Sequence, residues 1–542
     1  MNDASGASPS RRDVAGAHEG RPKKRSRRRH RRSKVTAEAV PATPVGGHLG
    51  SAPVGRAPWW YELVLATTRS QLVDPKRSIY TNRTLRFDRI GAVGFDFDHT
   101  LAIYNCENLD RLAMEMVIDR LIEHEKLPKS YFGHLPDPSF ARKGLLVDKI
   151  QGTVIKSDRY GHVTHAYRAG VKLSTREKRE LYGDMDVIPH VTDGDRFVQV
   201  DTAFAKPEVM IFTSVAPHLE QKERREFWQK LRDHTDAVHR DGSLKKVITA
   251  NPFDYVTPDH HTVAMLRALR EGGKKVFLLT NSEWEYTKAM ANPALGLGGD
   301  PEDLAWTELF DLVVVHGRKP GYFNAKKKRE AIPVEVPGAS ADAPRVLAGG
   351  TITDLEQRFG SSGPEFLYVG DHIYADLISS KRQKSWRTML VISELEEELD
   401  VQGMLPGIVA QLKQTDDLRF ETEREVMRWK SIERALSKVD DPARAELLTE
   451  IRNDCAEYRQ QASRTLREFI QQREGLRSKL SRATNSYWGS LFRAGTELTY
   501  YGRQLEDFAC IYSARATNLL YYPADHYFRS SMDYLPHELE QL

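Results

Sequence analysis

The sequence predicts an α/β protein: a Rossmann-like parallel-sheet core, a second region inserted into it, and a helical region towards the C-terminus. Short apolar, β-branched runs with turn-prone flanks recur at Ile90–Phe95, Lys275–Leu279, Leu312–Val315, Phe366–Val369 and Thr388–Ile392, the pattern of strands buried on both faces. Helical periodicity separates them, as at His260–Arg270, so successive strands need crossovers and lie parallel. From Asp98, after the first run, to Thr280, after the second, is 182 residues. A crossover needs only about a dozen, so an inserted region fills the gap.

In chain order, residues 1–58 read as a disordered basic tail and linker. They contain no Phe, Trp or Tyr, and Arg21–Lys34 carries ten Lys/Arg and no acid, so the stretch cannot bury enough apolar surface to offset its ordering entropy. The basic run can bind nucleic acid or an acidic partner through counterion release. It reads equally as a solvated tail, since no aromatic is interleaved for base stacking. The whole chain of 542 residues has a net charge of +4, so the remainder is mildly acidic at −6.

Order is expected to begin at Trp59-Trp60-Tyr61, and the core is assigned to residues 59–104 and 260–400, with 105–259 as a cap or substrate region. Within the core, Pro333–Gly350 reads as a loop insertion. Residues 401–542 form the helical region: apolar residues spaced by three and four from Val426 to Leu480 make a stripe that packs on the core or on another subunit. The aromatic stretch Tyr500–Pro523 is too apolar for a tail and should dock. Cys106, Cys455 and Cys510 match no zinc spacing and read as packing residues in a reducing compartment. No apolar run approaches the roughly 18 to 20 residues that span a bilayer, and the charged N-terminus lacks a signal-peptide apolar segment. A cytoplasmic protein is expected.

The chemistry lies at the strand ends. The first strand delivers Asp96-Phe97-Asp98-His99-Thr100 to the carboxyl edge of the sheet, where doubly wound folds bind ligands; just past the strand, both carboxylates can converge. Thr280-Asn281-Ser282 follows the second strand, offering a hydroxyl and amides to phosphate oxygens or, more plainly, a helix N-cap. Arg318-Lys319-Pro320 supplies a cation, otherwise a surface charge, and Gly370-Asp371-His372 with Asp376 adds two acids. Clustered carboxylates repel one another unless a cation compensates them. Oxygen ligands without His/Cys clustering favour Mg²⁺ over Zn²⁺.

These four motifs in this order resemble the haloacid-dehalogenase superfamily of phosphotransferases, and the longer strings resemble its cytosolic purine 5'-nucleotidase branch. The similarity runs through Asn82-Arg83-Thr84-Leu85, Gly94–Ala102, Thr280–Ser282, Arg318–Pro320, Gly370–Asp376, Trp386-Arg387-Thr388, Gly489–Arg493 and Asn518–Pro523, roughly residues 75 to 540. It implies an Mg²⁺-dependent 5'-nucleotidase acting on purine nucleoside monophosphates. Asp96 would be the nucleophile that forms an aspartyl-phosphate, and Asp98 the acid and base. Thr280 and Lys319 would hold the transferring oxygens. Mg²⁺ would bind Asp96, the carbonyl of Asp98, Asp371 and Asp376. A nucleoside hydroxyl in place of water would give phosphotransfer.

The resemblance also places Arg232, Asp236, His239 and Lys245 at the base and phosphate, with Asn281 and Ser282 in the substrate-binding set. Read from spacing alone, Arg232 and Asp236 are an i, i+4 surface pair; against a 6-oxopurine, Arg matches the O6 acceptor and Asp the N1–H donor, which implies IMP and GMP before AMP. The family's base-stacking aromatic has no counterpart at Arg168–Lys172, where Tyr167 is the candidate substitute. Tyr374, Lys381 and Arg382 fall in a segment that binds activating nucleotides in some relatives. Relatives form homodimers or homotetramers, and the apolar helices here are compatible with that. The alternative is a catalytically weak family member serving as a regulatory or nucleic-acid-associated scaffold.

Overall fold

The computed structural model describes residues 74–183, 194–324, 329–336, 345–530 and 538. The basic tail Arg21–Lys34 and the aromatic cluster Trp59–Tyr61 lie outside the described residues.

Among the described residues, nine strands form the central sheet: β1 (Tyr80–Thr81), β2 (Ala92–Phe95), β3 (Lys275–Leu279), β4 (Leu312–Val315), β5 (Ala331–Pro333), β6 (Val346–Gly349), β7 (Phe366–Gly370), β8 (Arg387–Val391) and β9 (Ile511–Ser513). Their spatial order is β1-β9-β8-β7-β2-β3-β4-β6-β5. The pairs from β9 to β6 are parallel, and only the outer pairs β1/β9 and β6/β5 are antiparallel. All four residues of β2 and all five of β7 are buried, as strands covered on both faces must be. Gly94 is required in β2 because a Cβ there would fall 2.1 Å from the Phe277 ring of β3. The chain moves outward from β2 through β3, β4 and β6, then returns to the other side of β2 as β7, so the direction of winding reverses at β2. That reversal opens a crevice at the carboxyl edge.

Two sequence expectations change. Pro333–Gly350 is not all loop: Ala331–Pro333 and Val346–Gly349 pair as the β5/β6 edge of the sheet. Its strand residues Val346-Leu347-Ala348-Gly349 are few and small, so their apolar signal is weak, and pairing with β4 decides the conformation. The C-terminal stretch does more than dock: Ile511–Ser513 becomes a strand beside β8.

The insertion leaves and returns at one neck, where Ile103–Tyr104 pairs antiparallel with Val256–Thr257. Between these it contains helices Cys106–Glu125, Lys206–Val215, Gln221–Arg240 and Ser243–Ala250. It also holds a five-stranded sheet in which Thr153–Ser157 pairs with both Leu146–Asp148 and Val163–Arg168. Beyond the core, helices Pro406–Leu436 and Ala445–Thr484 pack on each other as an antiparallel hairpin. Glu433 pairs with Arg459, Asp416 with Arg473, and Trp429 stacks on Tyr458 at 5.1 Å. Among the described residues, no helix is long and apolar enough to cross a membrane. Cys455 and Cys510 are buried and Cys106 partly so, all as free thiols.

Candidate functional site

Asp96 extends the β2/β7 ladder by one bond, its N–H donating to the Val369 carbonyl at 2.9 Å. The chain then reverses: the amides of Leu101 and Ala102 both donate to the Phe97 carbonyl (3.0 and 2.9 Å), and His99 takes a left-handed φ of +56°. This turn brings Asp98 beside Asp96. Asp98 is fixed at both oxygens, Oδ1 accepting from the Tyr104 hydroxyl at 2.6 Å and Oδ2 from the Ser282 hydroxyl at 2.7 Å. The Tyr104 hydroxyl also meets that of Tyr286 at 2.9 Å.

Asp371 follows β7 directly, and Asp376 lies in a π-helical turn, Ile373–Ile378. Gly370 makes that turn fit, since a Cβ there would fall 2.4 Å from Asp376 Oδ2. The same oxygen accepts the His372 amide at 3.1 Å. Lys319 arrives from the loop after β4, and Asn281 grips its backbone: the Lys319 amide donates to Asn281 Oδ1 at 2.6 Å and Asn281 Nδ2 donates to the Lys319 carbonyl at 3.2 Å. Lys319 Nζ then reaches Asp96 Oδ1 and Asp376 Oδ1, both at 2.8 Å, and donates to the Tyr368 hydroxyl at 3.0 Å.

The electrostatics follow from burial. Asp96 is pushed well above the usual carboxylate range by burial, against the pull of Lys319 and with Asp376 and Asp371 adding repulsion. Burial likewise pushes Asp371 up to about 6, with Lys143 the strongest opposing influence. Burial would lower Lys319, but Asp376 and Asp96 hold it protonated. Ligand oxygens of Asp96, Asp371 and Asp376 lie within 4.8 Å of one another, and Asp371 Oδ2 is buried with no hydrogen-bond partner. Asp376 Oδ1 is likewise buried without a hydrogen bond, its neighbour being the Lys319 ammonium, and three crowded carboxylates with open oxygens fit a hard divalent cation with oxygen ligands.

These groups form the floor of a cavity of about 360 Å³. Asn281 and Ser282 join the floor, while Tyr104, Phe204, His239, Lys245 and Tyr286 stand around it with Leu109, Leu244 and Ile248. Lys245 pairs with Glu283 and sits 5.3 Å from the Tyr286 ring centre. The structure thus brings Asp96, Asp98, Asn281, Ser282, Lys319, Asp371, Asp376, His239 and Lys245 together. Thr280 is fully buried behind them, its hydroxyl accepting the Ser282 amide at 3.1 Å, and it does not line the cavity. Nor do Arg232 and Asp236: Arg232 Nη1 donates to both carboxylate oxygens of Glu208 (3.0 and 2.9 Å) and its Nη2 lies 3.9 Å from Asp236.

Tyr167 is not a stacking residue of this cavity. It is buried against Phe140, Tyr487 and Trp488, and its hydroxyl donates to the Tyr487 carbonyl at 2.7 Å. Of the wall aromatics, Phe204 lies edge-on to His239 and to His99, with ring centres 5.9 and 4.7 Å away. No signal in the sequence marks Tyr104, Phe204 or Tyr286 as a wall residue, since an isolated aromatic in a neck, an inserted region or a helix carries no periodicity of its own.

Glu208 yields a pH prediction. It is buried, and burial pushes its carboxyl up to about 7 even with Arg232 opposing, whereas an unfolded glutamate titrates at about 4.3. The folded form therefore keeps a proton that the unfolded chain gives up. This contribution to stability is complete below about pH 4 and is lost as the pH rises to about 7. Melting temperature against pH should fall across that window more steeply for wild type than for Glu208→Gln; parallel curves would refute the assignment.

A model of the 5' nucleotidase family matches residues 79–540. The human 5'-nucleotidase domain-containing protein 2 is 28% identical over 513 residues, which is 89% of this chain and 89% of the human one. Among solved structures, a predicted phosphoglycolate phosphatase from Haemophilus somnus 129PT is 12% identical, over 56% of this chain and 85% of its own, with a TM-score of 0.24.

Proposed function

The chain belongs to the 5'-nucleotidase family and is a hydrolase of that type, and from that premise we propose that it releases phosphate from purine nucleoside 5'-monophosphates, IMP and GMP before AMP, with Mg²⁺ and through an aspartyl-phosphate. One observation carries the reading: Asp96, Asp98, Lys319, Asp371 and Asp376 line one cavity, beside aromatic and apolar side chains and His239 and Lys245.

Asp96 attacks phosphorus, forming the new O–P bond as the bond to the ribose 5' oxygen breaks. Its Oδ1 is held by Lys319 and by the Phe97 amide at 2.7 Å, which orients the carboxylate for attack. Asp98 gives a proton to the departing oxygen, then takes one from the water that displaces Asp96. A nucleoside hydroxyl in that water's place gives phosphotransfer. Lys319 neutralises charge on the transferring oxygens. Asp96, Asp371 and Asp376 with the Asp98 carbonyl would hold Mg²⁺, which would supply further positive charge at the phosphoryl group. Phe204 and His239 offer the base a wall, while Arg232 and Asp236 lie further back on the same face of helix Gln221–Arg240, outside the cavity.

Tyr104→Phe removes one of the two side-chain hydrogen bonds on Asp98. A hydrogen bond to a charged group contributes about 1.5–3 kcal/mol, so kcat should fall on the order of tenfold with KM little changed; a rise in KM alone would contradict the role. The reading as a whole is tested by phosphate release from IMP, GMP, AMP and a pyrimidine monophosphate, with Mg²⁺ and with chelator. Release from IMP and GMP first, lost with chelator, is expected. Equal rates on all four would remove the base preference, and rates unaffected by chelator would remove the metal.

A further inference from the structure

Lys319 pairs with Asp96 and Asp376, and no ion pair links it to Asp371 among the described residues. The cation beside Asp371 comes from elsewhere. Lys143 Nζ lies 3.9 Å from Asp371 Oδ2, the oxygen without a hydrogen bond, and 3.3 Å from Glu394 Oε2. Lys143 is 2% exposed and does not line the cavity, so it approaches the carboxylate from behind, beyond the reach of substrate.

Its backbone is pinned. The following residue, Gly144, has φ +82° and donates its amide to the Val200 carbonyl at 2.7 Å; a Cβ there would sit 2.8 Å from the Cβ of Tyr501. Buried ion pairs are often replaceable by apolar side chains of similar volume without loss of stability, so stability alone does not account for a lysine here. The task open here is Asp371, the one carboxylate of the cluster that Lys319 leaves uncovered.

We propose that Lys143 is a positioning residue that fixes Asp371 in place for the divalent cation. The inference rests on the metal reading of Asp96, Asp371 and Asp376. It makes a claim about sign. As a mere nearby positive charge, Lys143 would repel a divalent cation, and removing it would tighten binding. As the group that preorganises a ligand, its removal weakens binding, and residues behind metal ligands are typically worth about 10–100-fold in affinity.

The test is a thermal-shift titration of the full chain with Mg²⁺ alone, after chelator treatment. Lys143→Met should raise the Mg²⁺ concentration for half-maximal stabilisation at least about tenfold, and Lys143→Arg should largely restore it. Combining Lys143→Met with Asp371→Asn should add little to Asp371→Asn alone, because the two act through one ligand. Lys143→Gln carries the test if the Met variant does not fold. Wild type stabilised by Mg²⁺ with Lys143→Met binding as tightly, or tighter, overturns this proposal alone. Wild type unmoved by Mg²⁺ overturns the metal reading and this proposal with it.

Discussion

Asp96→Asn should abolish phosphate release, by about 10⁴-fold or more, because no neighbouring group can replace a nucleophile whose phosphorylated form is the intermediate. The same change should raise, not lower, the melting temperature of the metal-free protein. Asp96 is a buried carboxylate whose ionisation is opposed by burial, favoured by Lys319 and opposed again by Asp376 and Asp371; an amide of the same shape keeps the packing and removes the repulsion, and Lys319 is not stranded because Asp376 remains its partner. Phosphate release and calorimetry on one preparation check both halves. Intact mass after rapid acid quench should show a phosphorylated chain for wild type with substrate and none for the variant. Residual turnover within tenfold of wild type would sink the nucleophile assignment.

Lys319→Met should be the most destabilising single change in the site. Among the described residues Lys319 is the one cation held against both Asp96 and Asp376, and all three side chains are buried. Removing one partner of a buried ion pair leaves uncompensated charge and costs about 3–5 kcal/mol. Adding Asp96→Asn should recover part of that loss, since one of the stranded carboxylates is then gone. Chemical denaturation of the two single variants and the double reads the cycle. Additive losses would mean that Lys319 and Asp96 are not coupled.

Much of the core was legible because a buried parallel strand writes itself as a continuous apolar run. Ala92–Phe95, Leu312–Val315 and Phe366–Gly370 each sit where such a run ends in chemistry: Asp96, the loop to Lys319, Asp371. Val346–Gly349 was illegible for the converse reason, being short, small and near the sheet edge. The walls of the cavity were harder still. Phe204 and Tyr104 come from the insertion and its neck, Tyr286 from the helix Trp284–Leu295; none has a neighbour in sequence that announces its role, and only the folding of the insertion over β2 assembles them. Glu208 and Lys143 show the same gap for charge. An acid or a base deep in an apolar segment signals a partner, but the spacing does not say which.

The neck has a practical consequence. Because Ile103–Tyr104 and Val256–Thr257 close on each other, the chain enters and leaves the insertion through a single two-stranded ribbon, and that ribbon already contains the tyrosine bonded to Asp98. A graft that exchanges residues 106–255 while retaining both ribbon strands and a lysine at the place of Lys143 would therefore swap the recognition surface and leave the proton-transfer carboxylate still tethered. A splice two residues further in, between Asp98 and Tyr104, would cut that tether, so the ribbon marks where the module can be exchanged.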